Sequence, residues 1–189
     1  MYKAGDHVFY PKGGVFVIEK ECDKKIGGNS ITFFDLISND GKTKISIPTA
    51  NVDRVGVRRL IAPTALDQQM EHWVPDFKIS KLHHKNRKSR FETLRQTGDF
   101  EDMSVVVVTI HFLIDKGKAT FEEKRMYDQI RKRMVNEIEI VTNWSSTRAD
   151  AVLQDALDQA ILRKAPKNAE DDMDLEGQEL EEETDKVLT

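Results

Sequence analysis

The sequence is short of cysteine and of long apolar runs. Cys22 is the single cysteine among 189 residues, so an internal disulfide is impossible and a reducing, cytoplasmic location is expected. No apolar stretch approaches the roughly 18 residues that a membrane-spanning helix needs. The first residues carry no apolar signal segment, so export is not expected. These absences exclude a disulfide-stapled scaffold and predict no membrane partner.

The sequence also lacks the motifs of common catalytic sites. The glycine pairs at 13–14 and 27–28 are not followed by the Lys-Ser/Thr of a phosphate loop. The adjacent His83 and His84 lack the i, i+4 spacing that places two imidazoles on one helix face for a metal. His111 lies in an apolar run and is interpreted as a core histidine. We therefore predict no enzyme, no cofactor, no metal and no small-molecule substrate.

Charge is distributed unevenly along the chain. The formal net charge is −4, yet residues 78–95 contain seven bases and one acid, whereas residues 168–189 contain ten acids and one base. Local clusters set the field that a phosphate backbone meets, so the basic run is a candidate nucleic-acid surface. The alternative is a solvated helix face. Residues 164–189 are expected to be a disordered acidic tail, which either competes with DNA for the basic run or only adds solubility.

Residues 1–60 show the pattern of short β-strands. Apolar runs alternate with turn signals at 27–29 and 39–41, where glycine and asparagine tolerate positive φ. A last short strand is expected at 52–57. Four or five short strands with tight turns predict a small, strongly bent antiparallel barrel.

From Pro63 onwards the apolar spacing becomes helical. Capping-box patterns begin at Thr64 and Thr120, and Asp99 can cap the helix between them. The apolar stripe of the long helix that follows Thr120 has 3–4 spacing and comprises Phe121, Met126, Tyr127, Ile130, Met134, Ile138 and Val141. Residues 64–163 are therefore expected to form a bundle of four to five helices, and the fold class is α+β.

Several short sequence motifs occur in an order that suggests a known family. They are Gly5-Asp6-x-Val8-Phe9-Tyr10-Pro11-x-x-Gly14-Val15, Ile45-Ser46-Ile47-Pro48, Val55-Gly56-Val57-Arg58, Thr97-Gly98-Asp99 and Glu123-Lys124-Arg125-Met126. In these motifs, residues 2–60 resemble the N-terminal domain of the CarD/CdnL family of bacterial transcription regulators, a domain shared with the transcription-repair coupling factor. Residues 64–163 resemble the helical domain of the same family.

The resemblance implies a non-catalytic regulator that bridges RNA polymerase and promoter DNA. A Tudor-like barrel over residues 1–60 is expected to bind the polymerase β subunit. Its implied contact residues are Lys24, Ile26 and Ser46, with Ser46 standing where the family usually has arginine. The polar/apolar alternation of residues 42–47 adds Lys44, because it leaves Lys44 and Ser46 together on the outward side. A helical domain over residues 64–163 is expected to contact promoter duplex DNA at the upstream edge of the transcription bubble and to modulate the stability of the open complex.

The implied DNA contacts depart from the family at one position. The family usually has a tryptophan that wedges into the minor groove, and an ungapped alignment from Leu66 to Gly98 places His84 there. Histidine is smaller and more polar, so it makes a poor wedge. The other implied DNA-binding residues are phosphate-binding cations, namely Lys85, Arg87, Lys88, Arg90, Lys124 and Arg125. The alternative function is a protein–protein adaptor that binds polymerase or another regulator with little DNA contact.

Overall fold

The computed structural model describes residues 2–163, and the acidic tail at 164–189 lies outside them. Within the described residues the chain forms five β-strands and then six α-helices, which confirms the α+β fold class. The strands are β1 His7–Tyr10, β2 Gly14–Ile26, β3 Asn29–Ser38, β4 Lys44–Pro48 and β5 Arg58–Arg59. The helices are α1 Pro63–His72, α2 Phe77–Lys81, α3 His84–Thr97, α4 Phe100–Asp115, α5 Phe121–Thr142 and α6 Ser146–Leu162.

The strands form one antiparallel sheet in the order β4-β3-β2-β1-β5. Its longest unit is the β2–β3 hairpin, which turns at Gly27 and Gly28 as predicted. Both glycines have positive φ, at 58° and 86°, which side chains with a Cβ rarely adopt. A register shift between Ile18 and Lys20 bulges β2 and bends the sheet. Since β4 and β5 remain as edges, this Tudor-like sheet is open rather than a closed barrel.

The strand expected at residues 52–57 is wrong, because this segment turns. Gly56 has a φ of 77° and lies against Pro11, where an added Cβ would be 2.9 Å from the proline Cγ. Val52 and Val57 are buried, which explains the apolar pattern without a strand. The chain becomes extended only at Arg58, where β5 pairs with β1.

Strand β1 contributes to two separate cores. Val8 belongs to the cluster inside the sheet, together with Phe16 and Leu36. Phe9 belongs instead to the helical core, together with residues such as Ile138. Successive side chains of a strand point to opposite faces, so one short strand joins the two parts of the molecule.

Helix boundaries follow local capping signals in most places. The Asp99 carboxylate accepts hydrogen bonds from the first-turn amides of α4, and Thr120 forms the predicted capping box with Glu123. The capping box expected at Thr64 is wrong, because α1 begins at Pro63 without a side-chain cap. The basic run divides at residues 82–83 into α2 and α3, which gives six helices instead of four to five.

An ion pair joins the sheet to the helical bundle. The Arg58 guanidinium donates two hydrogen bonds to the Glu137 carboxylate, with Nη1–Oε1 at 2.6 Å and Nη2–Oε2 at 2.9 Å. Its Nε donates to the carbonyl of Gly98 at 2.7 Å. The amide of Ile61 also donates to Glu137 Oε1, at 2.8 Å. The Glu137 carboxylate is therefore fully buried but well supplied with donors.

Candidate DNA-binding groove and polymerase-binding face

Helix α3 and the N-terminal part of α5 line an open groove on the surface. Its basic side chains come from both helices, and Phe121 lies among them. We call it the α3–α5 groove and define it by His84, Lys85, Lys88, Arg95, Phe121 and Arg125. The structure therefore brings four of the expected DNA-binding residues, His84, Lys85, Lys88 and Arg125, to one surface feature. Arg90 and Lys124 are exposed on the same helices, outside the lining of the groove.

Arg87 lies inside the protein, contrary to its expected role. Its side chain donates two hydrogen bonds to the Glu123 carboxylate, with Nε–Oε1 at 2.7 Å and Nη2–Oε2 at 3.1 Å. Its Nη1 donates to the carbonyl of Leu82 at 3.0 Å. With 7% of its surface exposed, Arg87 cannot reach a phosphate. We therefore remove it from the DNA-binding set, since its contacts hold α3 against α5.

The environment of Glu123 is consistent with a charged, structural carboxylate. Burial by itself raises the pKa of the Glu123 carboxyl. The hydrogen bond from Arg87 and that from the Thr120 amide act in the opposite direction and prevail, so the pKa is lowered. The Glu123 carboxylate therefore remains ionised at neutral pH.

Glutamates neutralise part of the remaining basic charge. Lys88 Nζ lies 2.6 Å from Glu122 Oε2, and Arg95 Nη2 lies 2.6 Å from Glu92 Oε2. These pairs are accessible to water, so they are weak and can exchange a glutamate for another anion. On α3 and the first two turns of α5, four exposed cations have no ion-pair partner within the described residues, namely Lys85, Arg90, Lys124 and Arg125.

Phe121 is a groove residue, so its predicted place in the core stripe of α5 is wrong. Its side chain is 82% exposed, whereas Met126 and Ile130 of the same stripe are buried. The signal against a core position was present, because Phe121 precedes Met126 by five residues instead of three or four. Thr120 is the N-cap, so Phe121 is the first residue of α5. It comes before Met126, the first apolar residue of this helix that is buried in the core.

The expected polymerase-binding residues lie on the outer face of the sheet. Lys24 Nζ lies 2.8 Å from both Asp35 Oδ1 and Ser46 Oγ. Hydrogen bonds from Lys24 and from Ser46 hold the pKa of the Asp35 carboxyl well below its usual range. Lys44, two residues from Ser46 on β4, pairs with Glu19 at 3.0 Å. The structure thus brings Lys24 and Ser46 into direct contact.

Ile26 lies at the end of the same face, beside the turn of the β2–β3 hairpin. It is 54% exposed and lies two residues after Lys24 on β2, so the two side chains are on the same face of the sheet. The four expected polymerase-binding residues therefore form one continuous face, which we call the Lys24 face (Lys24, Ile26, Lys44 and Ser46).

Other possible sites are weaker. Within residues 2–163, no helix is long and apolar enough to cross a membrane. The same residues contain no cluster of three His, Cys, Asp or Glu side chains that could hold a metal ion. His111 lies within hydrogen-bonding distance of Asp158 Oδ1, at 2.9 Å, and of the Tyr127 hydroxyl, at 3.1 Å. Its ring nitrogens therefore have structural partners.

Comparison with known families identifies both parts of the chain. Residues 2–61 match the CarD-like/TRCF RID domain, and residues 78–154 match the CarD C-terminal domain. The first match contains the whole sheet, and the second contains α3, α4, α5 and the first half of α6. The chain belongs to the CarD/CdnL family, a transcription-associated family whose N-terminal domain is a non-catalytic module that interacts with RNA polymerase.

Replacing Arg87 with alanine is expected to destabilise the fold by about 3 kcal/mol or more, because Glu123 stays buried without its partner. Urea unfolding monitored by circular dichroism measures the effect. Lys85→Ala is the matched control, since Lys85 is exposed on the same helix, and its unfolding free energy should stay within about 0.5 kcal/mol of wild type. A fully stable Arg87→Ala variant would show that the Arg87–Glu123 pair does not hold α3 against α5.

Proposed function

We propose that this protein is a non-catalytic transcription regulator that bridges RNA polymerase and promoter DNA. The Lys24 face binds the polymerase β subunit, and the helical domain contacts promoter duplex DNA, which modulates the stability of the open complex. Membership of a polymerase-interacting family supports the polymerase contact. The DNA contact rests on one observation, which is that cations from two helices lie together at the α3–α5 groove.

The expected DNA contact is electrostatic. Lys85, Arg90, Lys124 and Arg125 are exposed cations on neighbouring helices, and each can neutralise a phosphate. Such contacts position a protein on the duplex but carry little sequence information. Four phosphate contacts predict a weak, salt-sensitive affinity for duplex DNA. A plot of the logarithm of the binding constant against the logarithm of the salt concentration should have a slope of roughly −3 to −4.

The second candidate function is a protein–protein adaptor with little DNA contact. The observation that favours it is the pairing of Arg87, Lys88 and Arg95 with glutamates, which reduces the positive charge that the basic run offers to a phosphate. His84 at the position of the family tryptophan favours it as well.

Duplex binding across a salt series separates the two functions. The double variant Lys85→Gln/Lys124→Gln removes two proposed phosphate contacts. The magnitude of its log–log salt slope should therefore be lower than that of wild type by about 2. Fluorescence anisotropy with a labelled duplex measures this slope. The matched control is Lys3→Gln/Lys42→Gln, which removes the same charge from exposed positions before β1 and between β3 and β4, and should bind like wild type. Equal slopes for the two double variants, or no duplex binding at low salt, would favour the adaptor.

The polymerase contact is tested by reversing a charge on the Lys24 face. Lys24→Glu places a second carboxylate beside Asp35 and removes the ammonium from this face, so co-purification with RNA polymerase should fall severalfold. Lys42→Glu, at an exposed position near the turn between β3 and β4, is the control and should co-purify normally. Circular dichroism confirms that both variants fold. Undiminished co-purification of Lys24→Glu would place the polymerase interface elsewhere.

A further inference from the structure

Phe121 is the most exposed large apolar side chain within residues 2–163. Its exposed fraction is 82%, compared with 54% for Ile26 and 72% for Leu162. Single apolar side chains on a surface are ordinary and assign no function by themselves. The setting of Phe121 is what distinguishes it.

The backbone that carries Phe121 is fixed on both sides. Before it, the Thr120 amide donates to Glu123 Oε2 at 2.8 Å, and the Glu123 amide donates back to Thr120 Oγ1 at 3.2 Å. After it, Glu122 pairs with Lys88, and the Glu123 carboxylate is held by buried Arg87. The ring therefore projects from a rigid turn into solvent, so little backbone entropy is lost when it binds a partner.

The surroundings of Phe121 carry positive charge. Lys85, Lys88, Arg95 and Arg125 line the same groove, together with Glu92, Glu122 and the buried Glu123. Glu123 is already paired with Arg87, so the accessible lining has two more cations than anions. A polyanion that also presents flat apolar surfaces matches this combination, and DNA presents them wherever a base step opens. His84 lines the groove as well, but it is polar and does not supply the apolar plate.

Given the DNA contact proposed above, we propose that Phe121 inserts into a base step of duplex DNA. The groove cations then lie over the phosphates that flank the opened step, and the ring replaces part of the lost base stacking. Pyrimidine–purine steps such as TA are the favoured targets, because they unstack most easily.

Duplexes that carry 2-aminopurine next to a central TA step test this inference with the full chain. Fluorescence of 2-aminopurine rises when the base unstacks, and anisotropy of an end label reports binding separately. Wild type should raise the 2-aminopurine signal. Phe121→Ala should abolish that rise and weaken affinity by roughly tenfold, while it keeps the salt slope of wild type. Phe121→Leu, which retains an apolar side chain, should recover part of the rise.

Leu162→Ala is the matched control, because Leu162 is similarly exposed but lies outside the groove. It should behave as wild type in both readouts. Salt-dependent binding by wild type without any 2-aminopurine response would overturn the insertion and leave the proposed DNA contact standing. Absence of duplex binding by wild type would overturn both. An unchanged 2-aminopurine response in Phe121→Ala, or a response only with the single strand, would also overturn insertion by Phe121 into the duplex.

Discussion

The buried carboxylate of Glu137 fixes the sheet on the helical bundle. It accepts both Nη groups of Arg58 and the amide of Ile61, and the Arg58 guanidinium also stacks over the Phe9 ring, with its Cζ 4.3 Å from the ring centroid. Buried ion pairs contribute little net stability, but an unpaired buried carboxylate is costly, so they favour one arrangement over its alternatives. Here the arrangement selected is that of the Lys24 face relative to the α3–α5 groove.

Helix α5 transmits this constraint along the molecule. It carries two buried carboxylates, Glu123 near its start and Glu137 near its end, about four helical turns apart and hence on similar faces. Glu123 holds α3 through Arg87, and Glu137 holds the sheet through Arg58. One continuous helix therefore connects the proposed DNA-binding groove to the proposed polymerase-binding domain. A protein that bridges two large partners benefits from such stiffness, because less freedom is lost when both are bound.

The sequence predicted features that depend on neighbouring residues. The turn at Gly27 and Gly28, the Asp99 cap and the Thr120 capping box each arise within a few positions, and the structure confirms them. The partner of Arg87 is 36 residues away and that of Arg58 is 79 residues away, so no local pattern reveals them. Arg87 consequently resembled its exposed neighbours in the basic run. The five-residue spacing between Phe121 and Met126 did indicate that Phe121 leaves the apolar stripe. Spacing alone, however, could not predict that its side chain is exposed in the groove.

In the proposed function, one chain contacts polymerase and promoter DNA at the same time. The most direct test is the lifetime of open complexes formed by the cognate polymerase and challenged with a heparin competitor. The account predicts that wild type changes this lifetime, and that Lys85→Gln/Lys124→Gln, although still bound to polymerase, changes it less because phosphate contacts are lost. If that variant altered the lifetime as much as wild type does, the protein would act through polymerase alone, and the bridging account would be contradicted.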